Sequence, residues 1–341
     1  MILENRGNHL EVEWMKVLVP YPDELVKIFK TIIGDQAEVI QSERTAESML
    51  EIGGDAEIIG SVIVPSEYIR KASNLRMIQT FGAGIDSVDL DAVRERGDII
   101  VCNNHVNSAE VAEFAISLLL AVAKNLIPSD RELRTGNWVH RWGGPVPNIE
   151  IRGKKVLIIG LGHIGADIAK RLRSFEVTIT AATRSGTSSN DNLVDHIVGI
   201  DEVKPHVSDS DLVILSLPLT DESEGLVNRE FLSWMKPTSI LVNISRAQII
   251  DEQALYEALK EKRIHGAGID VWWRYPTQWR GIAVPPSDVP FHELDNIVIS
   301  PHRAAYSANT ERELFQFAAS NILRFIRGET PLNIVDLERG Y

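Results

Sequence analysis

The sequence has a single cysteine, Cys102, among 341 residues. A lone thiol closes no internal disulfide, so the chain reads as one kept in a reducing compartment, and a cytoplasmic location is expected. Long apolar runs are missing too. The most apolar stretch, residues 114–123, is about half of the roughly 20 residues a membrane-spanning helix needs. The first residues carry Glu4, Glu11 and Glu13 and lack the basic start and apolar core of an export signal. Met15 opens Met-Lys-Val-Leu-Val-Pro, which has the character of a first strand, so residues 1–14 read as an extension or a misplaced start. Positive charge is in deficit: 35 Lys and Arg against 48 Asp and Glu leave a formal charge of −13. Nucleic acid and anionic membranes both reward a basic face, so neither is expected as a partner. A small anionic substrate remains compatible, because it feels the local field of its site. No repeat of roughly 20–50 residues and no low-complexity tract is present.

What is present is an alternation of short apolar runs with helical periodicity along the whole chain, the pattern of an α/β protein. The length suits two domains. Strands are predicted over 17–20, 58–64, 77–80 and 99–102, with helices over 23–33 and 66–72. A long helix starts at Asn107, with Glu110 three residues on as in a capping box, and runs to about residue 125. Apolar residues surround it, so it should be buried, and a place between two domains suits it. Residues 136–148, rich in Gly, Pro and Trp, read as an irregular arm. A second series follows, with strands over 155–159, 177–182, 212–217, 240–244, 267–271 and 297–300, a helix over 251–262 and another over 311–327.

The sharpest motif is Val156-Leu-Ile-Ile-Gly160-Leu-Gly162-His163-Ile164-Gly165, which follows a buried strand and opens a helix. In that context the glycine spacing has a mechanism. Gly160 makes a tight turn, Gly162 lets backbone approach a pyrophosphate, and Gly165 permits close helix–strand packing. The helix N-terminus supplies donors to the anion. A glycine-rich turn without a ligand is the plainer reading, and the strand–turn–helix setting weighs against it. The ribose-reading position comes about 20 residues later. There the chain has Ala182-Thr183-Arg184-Ser185-Gly186, with no acid before Asp191. Thr183 does not repel a 2′-phosphate, and Arg184 with Ser185 can hold one, so NADP is expected in preference to NAD. The competing reading of Arg184 is an ordinary solvated loop charge.

Three further segments put polar residues at predicted strand ends, where doubly wound sheets bind ligands. They are Asn243-Ile244-Ser245-Arg246, Gly266-Ala-Gly-Ile-Asp270 and Ser300-Pro-His302. Arg246 offers a planar fork for a carboxylate, His302 titrates near neutrality and can pass a proton, and Asp270 can accept hydrogen bonds from an amide. With a nicotinamide cofactor these parts describe a reductase for 2-oxo acids. Each alone has a bland reading: a surface pair, a satisfied polar side chain, a turn residue. Their joint appearance after a dinucleotide motif makes the catalytic reading the stronger one.

With these segments in this order, the chain resembles the D-isomer-specific 2-hydroxyacid dehydrogenase family over about residues 17–335. Phe81-Gly-Ala83-Gly84-Ile-Asp86-Ser-Val-Asp89 and Ala109-Glu-Val-Ala-Glu113 are further family-like features. The resemblance implies two Rossmann-like, doubly wound parallel-sheet domains, the coenzyme domain inserted into a split, flavodoxin-like substrate domain. The substrate domain is expected over 1–105 and 301–341, and the dinucleotide-binding domain over 106–300. A homodimer formed mainly through the coenzyme domains is implied, as is D-stereospecificity. The resemblance also implies that N–H groups near Ala83 and Gly84 bind the substrate carboxylate and that His163 and Ile164 lie against the pyrophosphate. Ile244 and Ser245 join the cofactor contacts, and Asp270 holds the nicotinamide carboxamide. Arg246 would bind carboxylate and carbonyl oxygen, and His302 would donate the proton during reduction. No metal is expected.

Departures from the family pattern matter. The family usually has Glu paired with the histidine; the corresponding residue here is Tyr275, and a phenol is neutral at pH 7. Ala247 replaces the glycine after the arginine, and Arg303 stands where a small or apolar residue is usual. These changes point to altered chemistry, to another acid such as Asp288 or Glu293 reaching in, or to weakened activity. The loop 272–290 holds Trp272, Trp273, Arg274, Tyr275, Trp279 and Arg280. It reads either as the wall of a large substrate pocket or as a cap over the sheet edge or a dimer neighbour. The leading function is an NAD(P)-dependent oxidoreductase acting on a 2-hydroxy acid and 2-oxo acid pair. The alternatives are a relative acting on formate or phosphite, and a dinucleotide-binding sensor or scaffold of low activity. Retention of Arg246 and His302 favours the enzyme; loss of the Glu favours the sensor.

Overall fold

Two separate parallel sheets organise the chain, one of five strands and one of seven. The computed structural model describes residues 14–276 and 283–341. It divides into two units, the first built from residues up to Asn107 and from Ser307 onward, the second from Ser108–Tyr306.

Unit 1 begins β1 (Lys16–Val19), α1 (Asp23–Ile33), β2 (Glu38–Gln41), α2 (Ala46–Gly53), β3 (Ile58–Gly60) and α3 (Ser66–Lys71). It continues through β4 (Met77–Gln79), α4 (Leu90–Arg96) and β5 (Ile100–Cys102). The strand order β2-β1-β3-β4-β5, all parallel, is the flavodoxin-like order. Strand periodicity divides β1 between two cores: Leu18 faces one helical layer, Val17 and Val19 the other. The strand expected over 58–64 stops at Gly60. Ser61 turns the chain there by donating from its hydroxyl to the carbonyl of Ile63 at 2.7 Å.

Unit 2 opens with α5 (Ser108–Ala123) and α6 (Leu126–Arg134). Then come β6 (Lys155–Ile159), α7 (His163–Leu172), β7 (Thr178–Thr183), β8 (His196–Gly199), α8 (Val203–Asp209), β9 (Leu212–Leu215) and α9 (Arg229–Trp234). The unit ends with β10 (Ile240–Asn243), α10 (Glu252–Lys260), β11 (Gly266–Ile269) and β12 (Ile297–Ile299). The order β12-β11-β10-β9-β6-β7-β8 is a doubly wound sheet with its switch point between β6 and β9. α5 packs against α7, β10 and β11 inside this unit, which accounts for its all-round apolar character. The chain then returns to unit 1 through α11 (Thr310–Ile326), which lies against α1. Both units are thus parallel-sheet α/β folds, as the sequence predicts. No single described helix is long and apolar enough to cross a membrane.

Candidate active site

The carboxyl ends of the unit 2 strands carry every residue expected to touch a dinucleotide, together with Arg246, Tyr275 and His302. β6 runs into Gly160 at φ +96°, where a Cβ would stand 2.5 Å from the carbonyl oxygen of Ser216. The Ser216 hydroxyl donates to the Gly160 carbonyl at 2.7 Å and pins the turn. A Cβ at Gly165 would lie 2.1 Å from that same carbonyl oxygen, so α7 leaves the strand at this angle only with glycine there. Gly162 is different. Nothing lies within 4 Å of the place its Cβ would take, and α7 starts without a side-chain cap. His163 and Ile164 open that helix. Open space beside uncapped helix donors is what a pyrophosphate requires.

At the end of β7, the Thr183 hydroxyl donates to the Thr187 carbonyl at 3.1 Å, and the Ser185 and Thr187 hydroxyls are 2.9 Å apart. Arg184 is exposed, with Nη1 3.9 Å from Glu222 Oε2. Ser188 and Asn190 both donate to the Leu161 carbonyl at 3.2 Å, tying this loop to the glycine turn. Neither was singled out by sequence reasoning, because such contacts link residues about one βα unit apart.

Asn243, fully buried at the end of β10, builds the next turn. Its Oδ1 accepts the Ser245 N–H at 2.9 Å and its Nδ2 donates to the Arg246 carbonyl at 2.9 Å. Ile244 and Ser245 lie within that turn, both buried. The Ser245 hydroxyl has no protein partner among the described residues, an orphaned donor past the end of the strand that a polar ligand would satisfy. Arg246 is half-buried, and its Nη1 donates to the Ser245 carbonyl at 2.8 Å.

Asp270 follows β11 and is 1% exposed. Its two carboxylate oxygens accept the N–H groups of Arg303 and Ala304, each at 2.9 Å. The carboxylate therefore holds the backbone just past His302, which sits at φ +53°. This anchoring contact comes in addition to the cofactor amide that Asp270 is expected to hold. The Tyr275 ring lies 5.4 Å from the His302 ring, tilted by 52°, and its hydroxyl accepts the Trp272 N–H at 3.1 Å. Asp288 pairs with Arg274, and its N–H donates to Glu252 at 2.8 Å. Glu293 belongs to the short 3-10 turn Phe291–Glu293.

The aromatic loop divides by residue. Trp272 is buried, its Nε1 donating to the Ser300 carbonyl at 2.7 Å, and Trp273 stacks on Phe291 at 5.7 Å. Both belong to the core beneath α10, and Trp272 also lines a cavity with residues 283–292 and Ile299. Trp279 and Arg280 lie outside the described residues. Ala83 and Gly84 are in unit 1, after β4. The carbonyls of their loop are tied back: Gly82 accepts from the Asn104 N–H at 3.0 Å and Ala83 from Asn103 Nδ2 at 3.0 Å.

Residues 116–304 match the family model described as D-isomer specific 2-hydroxyacid dehydrogenase, NAD binding domain. A glyoxylate reductase of Korarchaeum cryptofilum is 33% identical over 278 residues, 81% of this chain and 80% of its own length. A D-3-phosphoglycerate dehydrogenase of Methanocaldococcus jannaschii is 31% identical over 333 residues; the match covers 95% of this chain and 60% of that protein. Among solved structures, the NADPH-dependent glyoxylate/hydroxypyruvate reductase of Sinorhizobium meliloti in complex with NADP and malonate superposes with a TM-score of 0.78. It is 28% identical, covering 96% of this chain and 98% of that one.

Proposed function

The chain belongs to the D-isomer specific 2-hydroxyacid dehydrogenases, and from that premise we propose how its own residues divide the work. It is an NAD(P)-dependent oxidoreductase of 2-hydroxy and 2-oxo acids. The observation that carries the assignment of roles is the convergence of Arg246, Asp270 and His302 on three neighbouring strands, β10, β11 and β12.

The residues present fit a dinucleotide: an open Gly162, an uncapped α7 and the orphaned Ser245 hydroxyl. Gly160, Gly162, His163, Ile164 and Gly165 would hold its pyrophosphate, with Ile244 and Ser245 alongside the nicotinamide half. When bound, the nicotinamide supplies or accepts a hydride. Thr183, Arg184 and Ser185 favour NADP, since they offer hydroxyls and a guanidinium where a carboxylate would repel a 2′-phosphate. Arg246 orients the oxo acid through its fork, Ala83 and Gly84 take its carboxylate, and His302 gives the proton to the carbonyl oxygen during reduction. Asp270 keeps His302 in place, and Tyr275 packs against its ring. Trp142, 100% exposed, and Trp138, 66% exposed, form an apolar arm that a second copy would cover, which supports a homodimer.

Absorbance of NADPH and NADH on mixing with a panel of 2-oxo acids tests this reading. Consumption is expected with both cofactors and at least about tenfold more efficiently with NADPH, a difference of about 1.4 kcal/mol. Arg246→Lys should lower kcat by about 10- to 100-fold, because an ammonium keeps the charge without the fork. Absence of turnover with every oxo acid would leave the sensor reading in its place.

A further inference from the structure

The strand ends of unit 1 carry a cation that this chemistry does not use. Arg44 follows β2, Tyr21 follows β1, Val62 follows β3 and the loop Gly82-Ala83-Gly84 follows β4, and these four strands are neighbours in the order β2-β1-β3-β4. The Arg44 guanidinium carbon lies 4.3 Å from the Tyr21 ring centroid. Tyr21 packs in turn on Phe81, with centroids 5.1 Å apart, and Phe81 leads directly into Gly82-Ala83-Gly84. Arg44, Tyr21 and Phe81 therefore make a continuous row of contacts, the two rings tilted by 51°, ending at the loop read above as the carboxylate site. The Tyr21 hydroxyl accepts the Val62 N–H at 3.2 Å, which fixes the β3 loop where Val62 and Ile63 stand exposed.

Among the described residues, no carboxylate pairs with Arg44. Glu311 acts electrostatically on Tyr21 from the first turn of α11 but forms no ion pair with the guanidinium. A guanidinium over an aromatic ring keeps N–H donors for a planar or tetrahedral anion. In a chain of formal charge −13, a substrate with two negative groups needs such a local cation. The exposed Val62 and Ile63 beside this row suit the carbon chain between the two groups.

We propose that Arg44 is a specificity-determining residue that binds a second anionic group at the far end of the 2-oxo acid, so that dianionic 2-oxo acids are the preferred substrates. This rests on the placement of the substrate carboxylate at Ala83 and Gly84. The test compares matched pairs with NADPH and with NADH. 2-Oxopentanedioate against 2-oxopentanoate adds a terminal carboxylate, and 3-phosphonooxy-2-oxopropanoate against 3-hydroxy-2-oxopropanoate adds a phosphate. In at least one pair the dianion should have about tenfold higher kcat/KM, chiefly through KM, and the pair showing it identifies which anion is taken. Arg44→Met should bring that ratio to about one, and Arg44→Lys should retain part of it; melting curves establish that both variants are folded. A wild-type ratio at or below one in both pairs overturns the inference while leaving the enzyme reading intact. So does a ratio that Arg44→Met leaves unchanged. If none of the four acids is turned over while another 2-oxo acid of the panel is, the inference falls and the enzyme reading stands. If no 2-oxo acid is turned over with either cofactor, the active-site reading itself falls, and this inference with it.

Discussion

His302 is held at φ +53°, a conformation few residues other than glycine or asparagine adopt, and the side chain that anchors the following backbone is Asp270. Hydrogen bonds to a charged acceptor are worth about 1.5–3 kcal/mol each. In Asp270→Asn one oxygen becomes an amide nitrogen that faces an N–H instead of accepting it. We expect kcat/KM to fall at least about tenfold and Tm to drop by several degrees, at about 2–4 °C per kcal/mol for a domain of this size. Binding of NADPH, followed by fluorescence, should change less than turnover if anchoring is the larger part of its role; equal losses in both would mean that its contact with the cofactor dominates. Tyr275 supplies the second test at this scale. Its ring lies against His302 without the charge of a carboxylate, which would stabilise the protonated imidazole. Tyr275→Glu should move the falling limb of the kcat/KM profile for reduction to higher pH, each unit corresponding to about 1.36 kcal/mol. An unmoved limb would mean that a carboxylate here does not reach the imidazole. The identities of these residues were legible in the sequence. The anchoring contact of Asp270 was not, because it joins residues 33 and 34 apart whose approach depends on the pairing of β11 with β12.

Among the elements, those with fully buried faces announced themselves. β6, β9 and β10 read KVLII, LVIL and ILVN, short apolar runs that only a covered parallel sheet accommodates. The unforeseen strands, β2 (EVIQ) and β8 (HIVG), are both at sheet edges, half exposed and of mixed polarity, so nothing in their composition separates them from loop. α10 was legible from its start: Asp251 caps it by accepting the Ala254 N–H at 2.9 Å. The glycine turn between β6 and α7 offers a test at this scale. Gly165→Ala would place a methyl 2.1 Å from the Gly160 carbonyl, backbone that cannot swing away. α7 must then shift, at a cost of the order of 1–3 kcal/mol for overpacking. Cofactor affinity should fall by more than tenfold, read by fluorescence titration, while Gly162→Ala, with open space around it, should leave Tm unchanged.

Over the whole molecule, two intrinsic probes report the two units separately. Cys102 is buried in unit 1, and burial pushes its thiol up to about 12. Among the described residues, Trp138, Trp142, Trp234, Trp272 and Trp273 fall in unit 2, leaving Trp14 alone in unit 1. A thiol reagent at pH 8 should therefore modify the native protein only as fast as unit 1 opens, and tryptophan emission should follow unit 2. Coincident denaturant midpoints would mean that the units unfold together. The thiol also sets a pH dependence. Between its ordinary 9.0 and about 12, the unfolded chain gives up the proton that the folded chain keeps, so stability falls as pH rises through that window. Wild type should lose more stability than Cys102→Ala from pH 8 to 10, measured by the shift of the urea midpoint. The core around Cys102 has one further peculiarity. It is closed by Phe315, Ala318, Ala319 and Ile322 of α11, and Asn321 of that helix donates to Gln79 at 2.7 Å across 242 positions of sequence. During translation the whole of unit 2, Ser108–Tyr306, must leave the ribosome before α11 exists. At about 5–20 residues per second that takes on the order of 10–40 s, far longer than a sheet needs to collapse. For that interval the core around Val17, Val19, Phe29 and Met77 lacks its α11 side, so the first part of unit 1 waits with an apolar face incomplete until the returning helix arrives.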